Sequence, residues 1–188
     1  PDQGYIRTEG FAAWDAAGAR TFIRRWDGRR GLYFAVNPDM RLAFDIDKKG
    51  QKEHVARVVA LHADIDSYKA GETRDEGKTR VLRMLATEVP EGLPGPPSVV
   101  VDSGNGIHAY WLLREPVELG GDIAKAEMVE RHTRGLAAAV DGDSTTDVSR
   151  IMRLPGTVNL PNAGKRALGL RPVLARTVLF EPTRLYDL

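Results

Sequence analysis

The chain of 188 residues contains no cysteine, and that absence removes two structural devices at once. There is no disulfide framework and no thiolate zinc site, and four scattered histidines are too few to build a structural metal cage instead. Long apolar runs are also missing. Nothing approaches the ~20 residues that a membrane span needs, and the first residues are polar, so a cytoplasmic location is expected. Net charge is nearly absent, at +1 from 27 Lys+Arg against 26 Asp+Glu. That argues against a protein that coats nucleic acid by bulk electrostatics, so any polyanion site has to be local. Internal repeats and low-complexity tracts are lacking too. What is present, 42% hydrophobic and 28% charged residues, describes one ordinary globular domain with enough chain to bury a core. The chain opens on Pro1 and not on Met, and is expected to be a piece of something longer.

Helical and strand patterns interleave along the chain. Thr8 to Trp14 reads as a short capped helix interrupted by Gly10, whereas residues 19–26 fit both periods. Leu32 to Val36 reads as a buried strand closed by an Asn37-Pro38-Asp39 turn. A second strand, Val55 to Leu61, ends in Asp64-Ile65-Asp66. A charged loop is expected over residues 70–77, then a helix through Val81, Leu82, Met84 and Leu85. This loop ends in Gly77-Lys78-Thr79 like a phosphate loop, but Gly71 stands one residue too early and Asp75 and Glu76 occupy the phosphate positions. Ser98 to Val101 and Ile107 to Leu113 form a hairpin across Asp102-Ser103-Gly104-Asn105-Gly106. Asp122 to Val140 is an amphipathic helix. Pro172 to Phe180 reads as a strand, followed by a terminal turn of helix. The fold class is α/β (α+β), around a largely antiparallel sheet.

Three constellations carry chemistry. In His62-Ala63-Asp64-Ile65-Asp66 a strand puts Asp64 and Asp66 on one face. Two carboxylates about 6–7 Å apart repel by roughly 2.5 kcal/mol at an effective dielectric near 20, a cost that a bound divalent cation removes. Oxygen ligands suit Mg²⁺ or Mn²⁺. In Ser103-Gly104-Asn105-Gly106-Ile107-His108 the glycines allow close backbone approach to a ligand, and the imidazole of His108 is placed to donate to a phosphate. The third runs from Asp147 to Asn159. A helical turn there would put Arg150 and Arg153 on one side as two prongs for phosphate oxygens. From Thr146 onward seven Lys/Arg stand against three Asp/Glu, a local excess of +4. The three together describe metal-assisted phosphoryl or nucleotidyl transfer.

These segments, in this order, resemble the three motifs of the archaeo-eukaryotic primase superfamily, most closely the primase–polymerases of bacterial plasmids and phages. The resemblance spans Leu32 to Asn159. It implies an RRM-like, largely antiparallel sheet with flanking helices plus a smaller N-terminal αβ unit, and residues 1–188 as a single catalytic domain of a longer replication protein. It further implies that Asp64, Asp66 and Asp147 are catalytic ligands of two Mg²⁺ or Mn²⁺ ions. His108, Ser103, Gly104, Gly106, Arg150 and Arg153 would bind the nucleotide, and Lys69, Asn159 and Lys165 would add DNA or phosphate contacts. Gly106 departs from the family, many members having Ser there. The expected activity is primer synthesis on a single-stranded DNA template from nucleoside triphosphates, with a helicase as partner in cis or trans. Tyr68, Tyr110 and Trp111 are further candidates for stacking or sugar discrimination. The alternatives are a metal-dependent nuclease or toprim-like domain, for which no separate Glu is assignable, and a non-catalytic replication-origin DNA-binding module, which leaves the acidic pair without a purpose.

Overall fold

Alternating apolar residues in the long strands Arg57–Asp66 (β2) and Gly106–Glu118 (β4) organise the fold. The computed structural model describes residues 9–12, 15–41, 48–66, 71–167 and 169–188. Ahead of β2 come a helix, Ala16–Trp26 (α1), and a short strand, Tyr33–Ala35 (β1). After β2 come Arg74–Thr87 (α2) and Val99–Asp102 (β3), then β4 and Ile123–Ala139 (α3). The chain closes with Ile151–Arg153 (β5), Val158–Asn159 (β6), Ala163–Ala167 (α4), Val173–Leu174 (β7), Arg176–Phe180 (β8) and Leu185–Tyr186 (β9).

The main sheet runs β2-β4-β3-β8 in antiparallel pairs, and β9 joins β4 in parallel. A βαββα order with β4 between β2 and β3 gives the sheet its RRM-like core, and β8 extends it on the β3 side. The odd-numbered residues Leu61, Ala63, Ile65, Ile107, Ala109, Trp111 and Leu113 pack against Val81 and Leu85 of α2 and Ala126, Val129 and Leu136 of α3. The opposite face, with Ala60, Tyr110 and Val101, is partly covered by Val36, Phe34 and Met152 of the small β1–β5 sheet and its flank. The smaller unit is therefore built from both an N-terminal and a late segment.

Local chemistry accounts for the departures from expectation. Residues 19–26 are helical because Asp15 caps the Gly18 N–H at 2.9 Å and Arg24 and Arg25 sit in the last turn, where the helix dipole favours cations. Residues Glu9–Ala12 carry no regular structure, and the Thr8 start of the expected first helix lies outside the described residues. The expected loop over 70–77 is helix from Arg74 on, because Thr73 and Glu76 form a capping box. Lys78 points from that helix to Asp102, 2.8 Å away, and not into a phosphate loop. The strand expected over Pro172–Phe180 is split, since Ala175 exchanges backbone hydrogen bonds with Gly156 and Thr157 and the chain changes sheets there. The expected terminal helix is β9, held where Tyr186 Oη donates to the Pro96 carbonyl.

Asn37 joins the two sheets. Its Oδ1 accepts the Val59 and Ala60 N–H groups at the β2 bulge (2.9 and 3.3 Å), and its Nδ2 donates to the Val148 carbonyl at 3.1 Å. Asn37→Ala orphans these buried groups and is expected to lower stability by about 3 kcal/mol, measured by urea denaturation.

Candidate active site

The β2–β4 register places Asp64 opposite His108 and Asp66 opposite Gly106. The pleat then delivers His62, Asp64 and Asp66 from one strand and His108 and Tyr110 from the other to a single face. His108 Nε2 lies 3.5 Å from Asp64 Oδ1. Burial, reinforced by Arg153 and Arg150, pulls the His108 pKa down to about 4, so the ring is neutral at pH 7. His62 is likewise lowered to about 4 by burial. Its Nε2 lies 3.0 Å from the Thr145 carbonyl, an acceptor, which assigns the proton to that nitrogen.

Four tethers hold the segment 143–148 against this face. The Asp143 N–H donates to the Asp64 carbonyl at 2.7 Å, and His62 holds Thr145. The Val148 N–H donates to Glu130 Oε1 at 3.1 Å, while Asn37 holds the Val148 carbonyl. Glu130, buried on α3, is paired with Lys52 at 2.8 Å. Gly142 permits the approach, because a Cβ there would stand 3.0 Å from the Asp64 carbonyl oxygen.

This geometry separates Asp147, the acid of the third motif, from Asp143, which lies four residues before it. Asp143 lies in the field of the pair: burial first, then Asp66 and Asp64, raise its pKa. Asp147 is engaged elsewhere, with Lys49 Nζ at 3.2 Å, Ser149 Oγ at 3.1 Å and Arg150 Nη1 at 3.6 Å. Burial works against its charge, but Lys49, Arg150 and Ser149 outweigh it and hold the pKa below the ordinary value. Asp143 is therefore the acid whose charge Asp66 and Asp64 oppose. Such an all-oxygen set fits a hard divalent cation. Among the described residues no three potential ligands are already converged at metal distance.

The turn after β3 is held internally. Ser103 Oγ accepts the Gly106 N–H at 3.1 Å and donates to the Gly106 carbonyl at 2.9 Å; Asp102 accepts the Gly104 N–H at 2.7 Å. Asn159 Nδ2 donates to the Ser103 carbonyl at 2.6 Å, so Asn159 is buried behind the turn. Gly106 is fixed by sterics: a Cβ there would lie 2.8 Å from the Ile65 carbonyl oxygen. The helical turn expected to align Arg150 with Arg153 is absent, because Ile151–Arg153 is strand β5, and Arg153 packs on Tyr33. Trp111 is fully buried in the core, its Nε1 donating to the Gly95 carbonyl at 2.9 Å, which removes it as a stacking residue. Tyr110 is buried beside Phe34. Tyr68, Lys69 and the Lys165 side chain lie outside the described residues.

Sequence reasoning passed over Lys49, Asp143, Glu130 and Asn37. One signal was readable: Glu130 is an acid on the stripe of α3 that carries the apolar Ala126, Val129, Leu136 and Ala137. Six buried side-chain polar atoms have no partner among the described residues: His62 Nδ1, His108 Nδ1, Tyr110 Oη, Thr145 Oγ1, Arg150 Nε and Arg153 Nε. All six belong to this face or to the segment that covers it. Buried polar atoms left unpaired mark a place where a polar ligand or ion belongs.

No protein-family model matches the chain. A replication protein of Clostridium perfringens is 27% identical over 107 residues, which is 57% of this chain, and the chain spans 25% of that relative's length. The AEP domain of the cyanophage S-2L primase-polymerase superposes on 92% of this chain and 72% of its own, with a TM-score of 0.54 and 20% identity. The chain has the fold of that domain.

Both buried histidines take up protons on unfolding, since their folded pKa of about 4 lies below the unfolded 6.5. Their stabilisation is complete above pH 6.5 and lost as pH falls toward 4, by up to about 3 kcal/mol for each ring. Denaturation curves across this window are expected to show the loss, and His62→Gln is expected to remove about half of its slope.

Proposed function

We propose that the chain is the catalytic domain of a primase–polymerase, a nucleotidyltransferase that builds primers on single-stranded DNA from nucleoside triphosphates. The observation that carries this is Asp143, held by its N–H to the Asp64 carbonyl and lying in the field of Asp66 and Asp64, beside a neutral His108 and the partly unpaired Arg150. The fold shared with a phage primase-polymerase domain and the similarity to a replication protein support it.

In this account Asp64, Asp66 and Asp143 would hold two divalent ions, Mg²⁺ or Mn²⁺. Bound there, the ions would lower the pKa of the attacking 3′-hydroxyl and neutralise charge on the α-phosphate and leaving pyrophosphate. His108 offers one N–H to a phosphate oxygen without adding charge. Arg150 offers its unpaired Nε, with the guanidinium anchored by Asp147. Asp147, the third acid in the motif resemblance, acts here by fixing Lys49 and Arg150, two cations suited to a triphosphate. Ser103, Gly104 and Gly106 shape the turn beside His108, and Asn159 supports it from behind. Lys69 and Lys165 contribute template contacts, and a helicase supplies the single strand. Because two nucleotides have to be held before any primer exists, positioning is most of the catalytic task.

The test incubates the chain with single-stranded template, Mg²⁺ or Mn²⁺ and labelled nucleotides. Wild type is expected to make product without a primer. Asp64→Ala and Asp143→Asn are each expected to lose on the order of 100-fold or more. Asp147→Asn is expected to raise KM for the nucleotide more than it lowers kcat. Wild type and Asp64→Ala equally inert would overturn the proposal, and template degradation in place of extension would make the protein a nuclease.

A further inference from the structure

Tyr33 is 51% exposed, yet its position is tightly set. Its strand pairs with β5 so that Tyr33 stands opposite Arg153. The Arg153 guanidinium lies 4.1 Å from the ring centroid, and its Nη2 donates to Tyr33 Oη at 2.8 Å. Gly31 leaves room for this stack, since a Cβ there would stand 2.8 Å from Arg153 Nη1 and 3.3 Å from Tyr33 Cε2. One face of the ring is therefore backed by a cation, and half of the residue remains open to solvent.

The pairing is costly for a purely structural role. Arg153 is buried, its Nε has no partner among the described residues, and burial pulls its pKa down. The same guanidinium lies within electrostatic reach of His108, which faces Asp64. Tyr33 is thus an exposed aromatic surface joined through one cation to the cluster of phosphate-seeking groups. A ligand that suits both has an anionic part and a flat π-system.

We propose that the Tyr33 ring, backed by Arg153, is a stacking platform for a nucleobase of a nucleotide held at the Asp64–His108 site. This rests on the primase–polymerase reading and names the contact that would orient the base. A nucleobase belongs either to the template strand or to the incoming triphosphate, and both present the same π-face.

The experiment measures binding to wild type, Tyr33→Leu, Tyr33→Phe and Tyr33→Trp. Four probes are used: a fluorescein-labelled oligothymidylate, an abasic oligomer of equal length, ATP and inorganic tripolyphosphate. Tyr33→Leu is expected to weaken a base-bearing probe about tenfold and leave its base-free counterpart unchanged. Loss confined to the oligothymidylate assigns the template base; loss confined to ATP assigns the incoming one. Tyr33→Phe and Tyr33→Trp are expected to retain affinity, and Tyr33→Trp is expected to add indole fluorescence that only the base-bearing probe quenches. Unchanged binding of both base-bearing probes by Tyr33→Leu, or equal loss of base-free ones, overturns the platform alone. A wild type that binds none of the four overturns the primase–polymerase reading and the platform with it.

Discussion

A slip of one residue between β2 and β4 would put Asp64 and Asp66 on the face opposite His108 and drive one of the two sets into the core beneath the helices. The pairing is protected against that slip from both sides. Ile65, Ile107, Ala109 and Trp111 are completely or almost completely buried against α2 and α3, so no polar residue can replace them there. At the far end of the pairing, the bulge near Val58 and Ala60 is locked by Asn37. The register of two strands is therefore what brings the first two motifs together.

The third motif arrives by different means. Its start and the residues just before it, 143–150, are neither helix nor long strand, and their position comes from single polar contacts: Asp143 to Asp64, Thr145 to His62, and Val148 to Glu130 and Asn37. Three of these four tethers join a backbone group to a buried side chain, His62, Glu130 or Asn37, where an unmade hydrogen bond is expensive. The same region collects the unpaired buried atoms, two neutral histidines and a carboxylate raised by burial and then by its neighbours. Such a face sacrifices stability that hydrophobic substitutions would recover, as sites kept for binding generally do.

What was legible in the sequence was whatever followed a period or a spacing. The Ser103–Gly106 turn between two apolar runs placed His108 at the start of a strand, and the two-residue spacing of Asp64 and Asp66 placed both on one face. The α3 stripe was equally plain. Features set by long-range contacts were not legible. Asp143 sat in an acidic turn, and its closeness to Asp64 depends on a backbone contact across 79 positions of sequence. Arg153 looked like the partner of Arg150 only if the segment were helical, but pairing with β1 made it a strand and turned it to Tyr33. Thr73–Glu76 is a local signal that was readable as a helix start and was masked by the flanking glycines and charges.

The central claim is the proposal that Asp143, brought into the field of Asp64 and Asp66, joins them in binding divalent cations. The most direct measurement is the melting temperature of wild type and Asp143→Asn at neutral pH, with and without Mn²⁺. The account predicts that Asp143→Asn melts higher than wild type without metal, because a repelling charge is gone, and that Mn²⁺ raises only the wild-type midpoint. A wild type indifferent to Mn²⁺, or a variant that gains as much from it, would contradict the account.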